Sequence, residues 1–328
     1  MKIPTVARVV QYDRTGGPDV LRLQERTLPP PGENQAVIEV VTAGINHIDA
    51  FIREGRETQW DDPFPRASGS DFAGIVVATG PGAARFRVGA EVIGLVRAGA
   101  QATHLLVDTL SLVARPRMVA WEVAGGLYLA GATALATLDA LRIGAGDTVV
   151  ISAAAGGVGS IEAQVAKHRG ARVIGTCGDR NFDYLRQLGI IPVRYGEGIA
   201  DRIRSHAPDG VHAFIDNFGQ DGSGLAEHLG VPPGRFRSSA DRRDLELDLL
   251  RDDPESTATG PRLLERVVAL AGARAFTLLV SGFYPLERVI EAYADLQRMH
   301  ARGKVVLGTH PVNPYPITSA RDFMESHR

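Results

Sequence analysis

Cysteine is almost missing from this chain of 328 residues, where Cys177 stands alone. That excludes an intrachain disulfide and any cysteine-rich zinc cluster, and it fits a reducing compartment. An excess of one charge is also lacking. Lys and Arg number 36 against 38 Asp and Glu, a formal net charge of −2. Such a balance gives no electrostatic pull toward nucleic acid or a membrane surface. Long apolar runs are absent too. The longest uncharged apolar stretch, Val123 to Leu138, is short for a bilayer crossing and rich in small residues. The first ten residues hold no secretory apolar core. Together these absences predict a soluble cytoplasmic protein with neither nucleic acid nor membrane as partner.

What is present is apolar content of 44%, enough for a sizeable core, over a length that suggests about two domains. The first 117 residues read as β-rich. Strand candidates are 36–41, 74–78, 91–95 and 103–107, separated by Gly and Pro turns as in a small twisted barrel. Near Val119 the pattern changes. Glu122 to Leu141 reads as helix interrupted at Gly125 and Gly126, and strands then alternate with helices. Strands are expected at 148–151, 172–176, 193–195 and 211–215, and helices at 160–168, 182–188 and 199–205. That alternation predicts an α/β fold, a doubly wound parallel sheet with helices on both faces. Residues 219–262 are rich in Gly, Pro and charge and show no obvious apolar strand. Order returns with a helix at 263–271, a strand at 276–280, a helix at 286–299 and a closing strand at 304–307.

The centre of the pattern is Thr148 to Ser160. A short apolar strand feeds a turn of small residues, and a helix follows. Ala154 to Gly159 fits G-x-G-x-x-G with Ala in the first place. A helix N-terminus behind a glycine turn offers free N–H groups and positive potential to a pyrophosphate.

Several further segments resemble the zinc-independent quinone oxidoreductase, zeta-crystallin-like branch of the medium-chain dehydrogenase/reductase superfamily. They are Ala43 to Asp49 with Ile52 to Gly55, Gly69 to Gly74, Leu129 to Ala134, Ala153 to Gly159, Gly175 to Gly189 and His300 to Leu307. The resemblance covers roughly 10–310 apart from 219–262. It implies a GroES-like, barrel-like catalytic domain (1–119 and 263–328), an NADP-binding Rossmann-type domain (120–262), a cofactor in the cleft between them, and a homodimer. It also implies NADPH contacts from Thr133, Ala155, Gly156, Gly157, Val158, Gly159, Gly178, Arg180, Tyr195, Asn217, Phe218, Val280, Ser281 and Lys304. For Lys304 a surface salt bridge stays open, and for Tyr195 plain packing.

Zinc-dependent relatives use Cys and His where this chain has Asn46 and Ser70, so no metal site is expected; tetrahedral zinc needs several thiolate or imidazole ligands. His47 reads as a partly buried histidine. The second strand of the alternating region ends Thr176-Cys177-Gly178, without the acid that binds ribose hydroxyls in NAD-selective sheets. Arg180 follows and suits a 2′-phosphate, which favours NADPH. Asp179 counts mildly against this unless it points to solvent or caps the next helix. The chemistry implied is hydride transfer from NADPH to a quinone or α,β-unsaturated carbonyl, a small-molecule electron acceptor. Asn46 is the candidate donor to the acceptor carbonyl, and Asp49 and Arg53 are read as a structural pair. Phe51, Trp60 and Phe64 form an apolar acceptor pocket or pack in the core. Two alternatives stay open: an enoyl-thioester reductase using Arg235 to Arg243 as a groove for its arm, and an NADPH-binding sensor or structural protein without turnover. A solvated surface is the plainer reading of those arginines.

Overall fold

The computed structural model describes residues 3–57, 60–220, 222–298 and 302–310. In chain order the elements begin with β1 (Val6–Tyr12), β2 (Arg22–Thr27), β3 (Gln35–Ile45), α1 (His47–Arg53), β4 (Arg66–Ala67), β5 (Asp71–Thr79), β6 (Glu91–Leu95), β7 (His104–Asp108) and β8 (Leu112–Ala114). There follow α2 (Trp121–Ala124), α3 (Tyr128–Ala140), β9 (Thr148–Ile151), α4 (Gly157–His168), β10 (Arg172–Cys177), α5 (Phe182–Gln187), β11 (Ile191–Arg194), α6 (Ile199–Arg204) and β12 (Ala213–Ile215). The chain closes with α7 (Gly222–His228), β13 (Phe236–Arg237), α8 (Ser239–Leu249), α9 (Pro254–Gly272), β14 (Val280–Pro285), α10 (Val289–Gln297) and β15 (Lys304–Gly308).

Two compact units are formed. The first gathers Met1–Leu129, Leu249–Gly272 and Val280–Arg328, of which 311–328 lie outside the described residues. Its seven-stranded sheet runs β14-β15-β3-β5-β6-β8, with β7 also paired to β3, and a three-stranded sheet runs β2-β1-β4. β3 is buried along nearly its whole length because β5, β7 and β15 all pair with it. One core cluster joins Val10, Ile45, Tyr284, Tyr293 and Leu307. Another joins Ile38, Phe72, Val92 and Leu112. β2 escaped the sequence reading because it is a mostly exposed strand of polar residues, paired on one side to β1.

The second unit holds Ala130–Asp248 and Ala273–Leu279. Its five strands are parallel in the order β11-β10-β9-β12-β13. β9 lies in the middle and is buried at every position, which is why it reads as a continuous apolar run. Val150, Ile174, Val193 and Phe214 pack with Ile203 and Ala226 of the covering helices and with Leu229, just after α7.

The structure corrects three expectations. The strand expected at 276–280 is β14, Val280–Pro285, in the first unit. Phe276 to Leu279 alternates in burial as a strand would, but the Gln164 side chain takes its backbone: Nε2 donates to the Thr277 carbonyl (2.8 Å) and Oε1 accepts the Thr277 N–H (2.9 Å). The helix expected at 286–299 is a 3-10 turn at Leu286–Arg288 followed by α10; Met299, His300 and Ala301 lie outside the described residues. Residues 219–262 are largely helical, and their strand β13 has only two residues, too short to show as an apolar run.

Candidate functional site

In the second unit, β9 delivers the chain into the Ser152–Gly156 turn and α4 leaves it. Ala153 takes a left-handed conformation (φ 46°), and Gly156 N–H donates to the Ala153 carbonyl (2.9 Å). A Cβ on Gly159 would lie 2.6 Å from that carbonyl oxygen, so only glycine lets the first turn of α4 come this close. Gly156 is the N-cap and makes no side-chain cap bond. The first N–H groups of α4, at Gly157 and Val158, have no partner within the helix, as an anion-binding helix end requires.

At the ends of neighbouring strands the predicted residues gather. A Cβ on Gly178 would lie 3.5 Å from the Tyr195 hydroxyl. Tyr195 stacks against Phe218 with ring centroids 6.5 Å apart and planes at 30°, and both rings are substantially exposed. Plain core packing therefore does not describe Tyr195. Arg180 is exposed in a 3-10 turn after β10. Asp179 reaches Arg194 instead (3.5 Å) and does not cap the helix. Cys177 is buried at the end of β10.

Beyond β12 the Asp216 carboxylate shapes the backbone. Oδ1 accepts the Ser152 hydroxyl (2.8 Å) and the N–H groups of Phe218 (3.1 Å) and Gly219 (2.9 Å), and Oδ2 accepts Gly222 N–H (3.1 Å). This turn fixes Asn217, whose Nδ2 donates to Glu162 Oε2 (2.5 Å) and the Ser152 carbonyl (3.4 Å). Thr133 of α3 is fully buried. Its Oγ1 and Asn217 Oδ1 have no hydrogen-bond partner among the described residues.

In the first unit, Asn46, Asp71 and Lys304 form a buried polar cluster. Asn46 caps α1: its own N–H donates to Asp49 Oδ2 (2.9 Å). Its side-chain Nδ2 donates to Asp71 Oδ2 (3.1 Å), and its Oδ1 accepts from Lys304 Nζ. Lys304 Nζ also donates to the Ile45 carbonyl (3.0 Å) and lies 3.7 Å from Asp71 Oδ2. Asp71 Oδ1 accepts Leu129 N–H (3.0 Å) and the Ser70 hydroxyl (3.3 Å). Val280 is in register with Lys304, and the Ser281 hydroxyl donates to the Lys304 carbonyl (3.3 Å).

Comparison with known proteins agrees with this layout. The family described as "Alcohol dehydrogenase GroES-like domain" matches residues 32–117, and "Zinc-binding dehydrogenase" matches 197–307. A chloroplastic NADPH-dependent alkenal/one oxidoreductase of Arabidopsis thaliana is 29% identical over 96% of this chain and 81% of its own. A probable quinone oxidoreductase of Schizosaccharomyces pombe is 36% identical, but over 51% of each chain. A mycobacterial protein solved in complex with NADPH superposes with a TM-score of 0.75 at 27% identity, over 92% of this chain and 99% of its own.

The two matched domains are those of the medium-chain dehydrogenase/reductase superfamily, and the chain is similar to quinone oxidoreductases and alkenal/one oxidoreductases.

Three expectations need revision. Lys304 makes no surface salt bridge; it is buried at the Asn46 cluster. Val280 and Ser281 open their strand, where the sequence had them end it. The arginines of 235–243 are not a solvated row. Arg235 is tied to Asp147 (2.6 Å) and to the carbonyls of Leu141, Arg142 and His212. The three aromatics meet different neighbours: Phe51 sits beside His47 and under Arg56, buried Trp60 lies under Arg97, and exposed Phe64 packs edge-on to Tyr12.

Two residues carry weight that the sequence does not reveal. In sequence Asp71 is only one member of the Gly69 to Gly74 motif, yet it has four polar neighbours, Asn46, Ser70, Leu129 N–H and Lys304. Glu162 belongs to no motif, although a carboxylate inside the run Ile161 to Ala166 is a visible signal. Among the described residues no three His, Cys, Asp or Glu side chains group as a metal would require, and no described helix is long and apolar enough to cross a membrane.

Proposed function

We propose that this chain is an NADPH-dependent oxidoreductase that transfers hydride to a quinone or an α,β-unsaturated carbonyl without zinc. The observation that carries the reading is the glycine turn at α4, where a side chain on Gly159 would strike the Ala153 carbonyl and the helix end lacks a side-chain cap. The residues present fit a dinucleotide. Gly156 to Gly159 hold its pyrophosphate, and Gly178, Arg180 and Tyr195 hold a 2′-phosphate. The orphaned Thr133 Oγ1 and the Asn217 carboxamide, whose oxygen has two lone pairs, supply polar contacts for the nicotinamide half. When bound, the nicotinamide supplies the hydride.

The protein's part is orientation and charge stabilisation. Asp71 and Lys304 hold the Asn46 amide in one sense, so an Asn46 N–H is directed as donor to an acceptor oxygen. Lys304 supplies the cation of this cluster, bonded to the Ile45 carbonyl and Asn46 Oδ1, and Asn46 and Ser70 stand where zinc-dependent relatives carry Cys and His; both support a zinc-independent mechanism. The commitment of Arg235 to backbone carbonyls argues against a basic groove for an enoyl-thioester arm. The division into a catalytic and an NADP-binding domain, taken at the limits of the two compact units rather than at 119 and 262, belongs to the same proposal, as do the homodimer and the cytoplasmic location.

The test follows NADPH consumption with a quinone, a short enone and an enoyl thioester. Turnover of the first two is expected. Tight NADPH binding without turnover of any acceptor would leave a sensor or structural protein.

A further inference from the structure

Glu162 lies on α4, the helix that receives the glycine turn, and it is fully buried. Its Oε2 accepts Asn217 Nδ2–H at 2.5 Å. Its Oε1 has no hydrogen-bond partner among the described residues, and neither has Asn217 Oδ1. An ionised carboxylate and an amide oxygen only accept. The ionised form therefore strands two buried acceptors on two planar groups already joined at their other ends. One proton on Oε1 satisfies both, because its O–H can donate to Asn217 Oδ1 while Oε2 keeps the Nδ2–H.

We propose that Glu162 is a positioning residue, held as the neutral acid, that locks the Asn217 carboxamide in a two-hydrogen-bond acid–amide pair and releases it on ionisation. The proposal rests on the reading of Asn217 as a cofactor contact. On ionisation the Oε1 proton passes to solvent, the bond to Oδ1 is lost and the amide loses one of its two anchors.

The surroundings favour the neutral form. Burial pushes the Glu162 carboxyl up to about 7, against the Asn217 hydrogen bond and the Arg242 charge, with Glu246 adding to the rise. Arg242 and Glu246 both come from α8 and face each other, Nε to Oε1 at 3.8 Å, so their charges largely oppose. Asp216, next to Asn217, is turned to Ser152, Phe218, Gly219 and Gly222. The switch so formed couples neutral pH to the order of one side chain at the carboxyl end of β12.

Glu162→Gln separates the possibilities, because a glutamine amide can donate to Oδ1 and accept from Nδ2 at every pH. Infrared difference spectra of the full chain, wild type minus Glu162→Gln, are expected to hold a protonated-carboxyl band at about pH 6 that fades by about pH 8.5. Over the same range NADPH affinity of the wild type should fall at least ~fivefold more than that of Glu162→Gln. Ionisation of the 2′-phosphate enters both proteins equally. Absence of the band at the acid end overturns the acid–amide pair. Parallel NADPH titrations of the two proteins overturn the positioning role. A band with no NADPH binding by either protein refutes the cofactor reading and the positioning role, while the pair itself stands.

Discussion

Lys304 Nζ and Asp71 Oδ2 lie 3.7 Å apart, and the Asn46 side chain is bonded to both. An ammonium only donates and a carboxylate only accepts, so the amide can sit in one sense alone. Asp71 takes one Nδ2 hydrogen, and the other is the donor that the proposed chemistry uses.

Asn46→Ala removes that donor. It is expected to lower kcat for a quinone or enone by ~100-fold, the scale of one lost oxyanion donor, with NADPH affinity little changed. Steady-state kinetics and fluorescence titration of NADPH check this. An unchanged kcat would remove Asn46 from the chemistry.

Lys304→Met leaves the buried Asp71 carboxylate without its cation. Breaking one side of a buried pair is costly, so urea unfolding should show a loss of about 3 kcal/mol. Lys304→Arg should recover only part of this, because the planar guanidinium cannot meet Ile45 O and Asn46 Oδ1 from the same point.

Arg180→Ala should weaken NADPH by at least ~tenfold and leave NADH nearly unaffected, as expected when a charge-assisted phosphate contact is lost. Equal loss for both nucleotides would place the 2′-phosphate elsewhere.

Glu162 makes stability depend on pH with a definite sign. Its carboxyl is raised from 4.5 to about 7 in the folded chain. Its contribution is fully present below the unfolded value and is lost as pH rises through the folded one. The loss is of the order of 3 kcal/mol at most. Glu162→Gln should therefore gain on the wild type in Tm as pH goes from about 5 to about 8. A constant difference in Tm would contradict the buried acid.

Much of the cofactor-binding unit was legible because its signals are local. A buried parallel strand, small residues in a turn and an amphipathic helix are contiguous in sequence, so β9, the turn and α4 could be read together. Asn46 and Lys304 were legible as separate candidates, yet 258 residues separate them and only β15 pairing with β3 makes them neighbours. The strand misplaced at Phe276 to Val280 shows the limit of periodicity. Alternating burial marks extended chain, but whether it joins a sheet depends on a partner, and here the partner is the Gln164 side chain. β13 was invisible because two residues carry no period.

The central claim is hydride transfer from NADPH, and isotope transfer tests it most directly. NADPH deuterated at the transferable C4 position is incubated with the chain and a short enone, and the product is read by mass spectrometry. One deuterium on the β-carbon of the saturated ketone is the expected result. A product without deuterium, or no reduction of either the enone or a quinone, would contradict it.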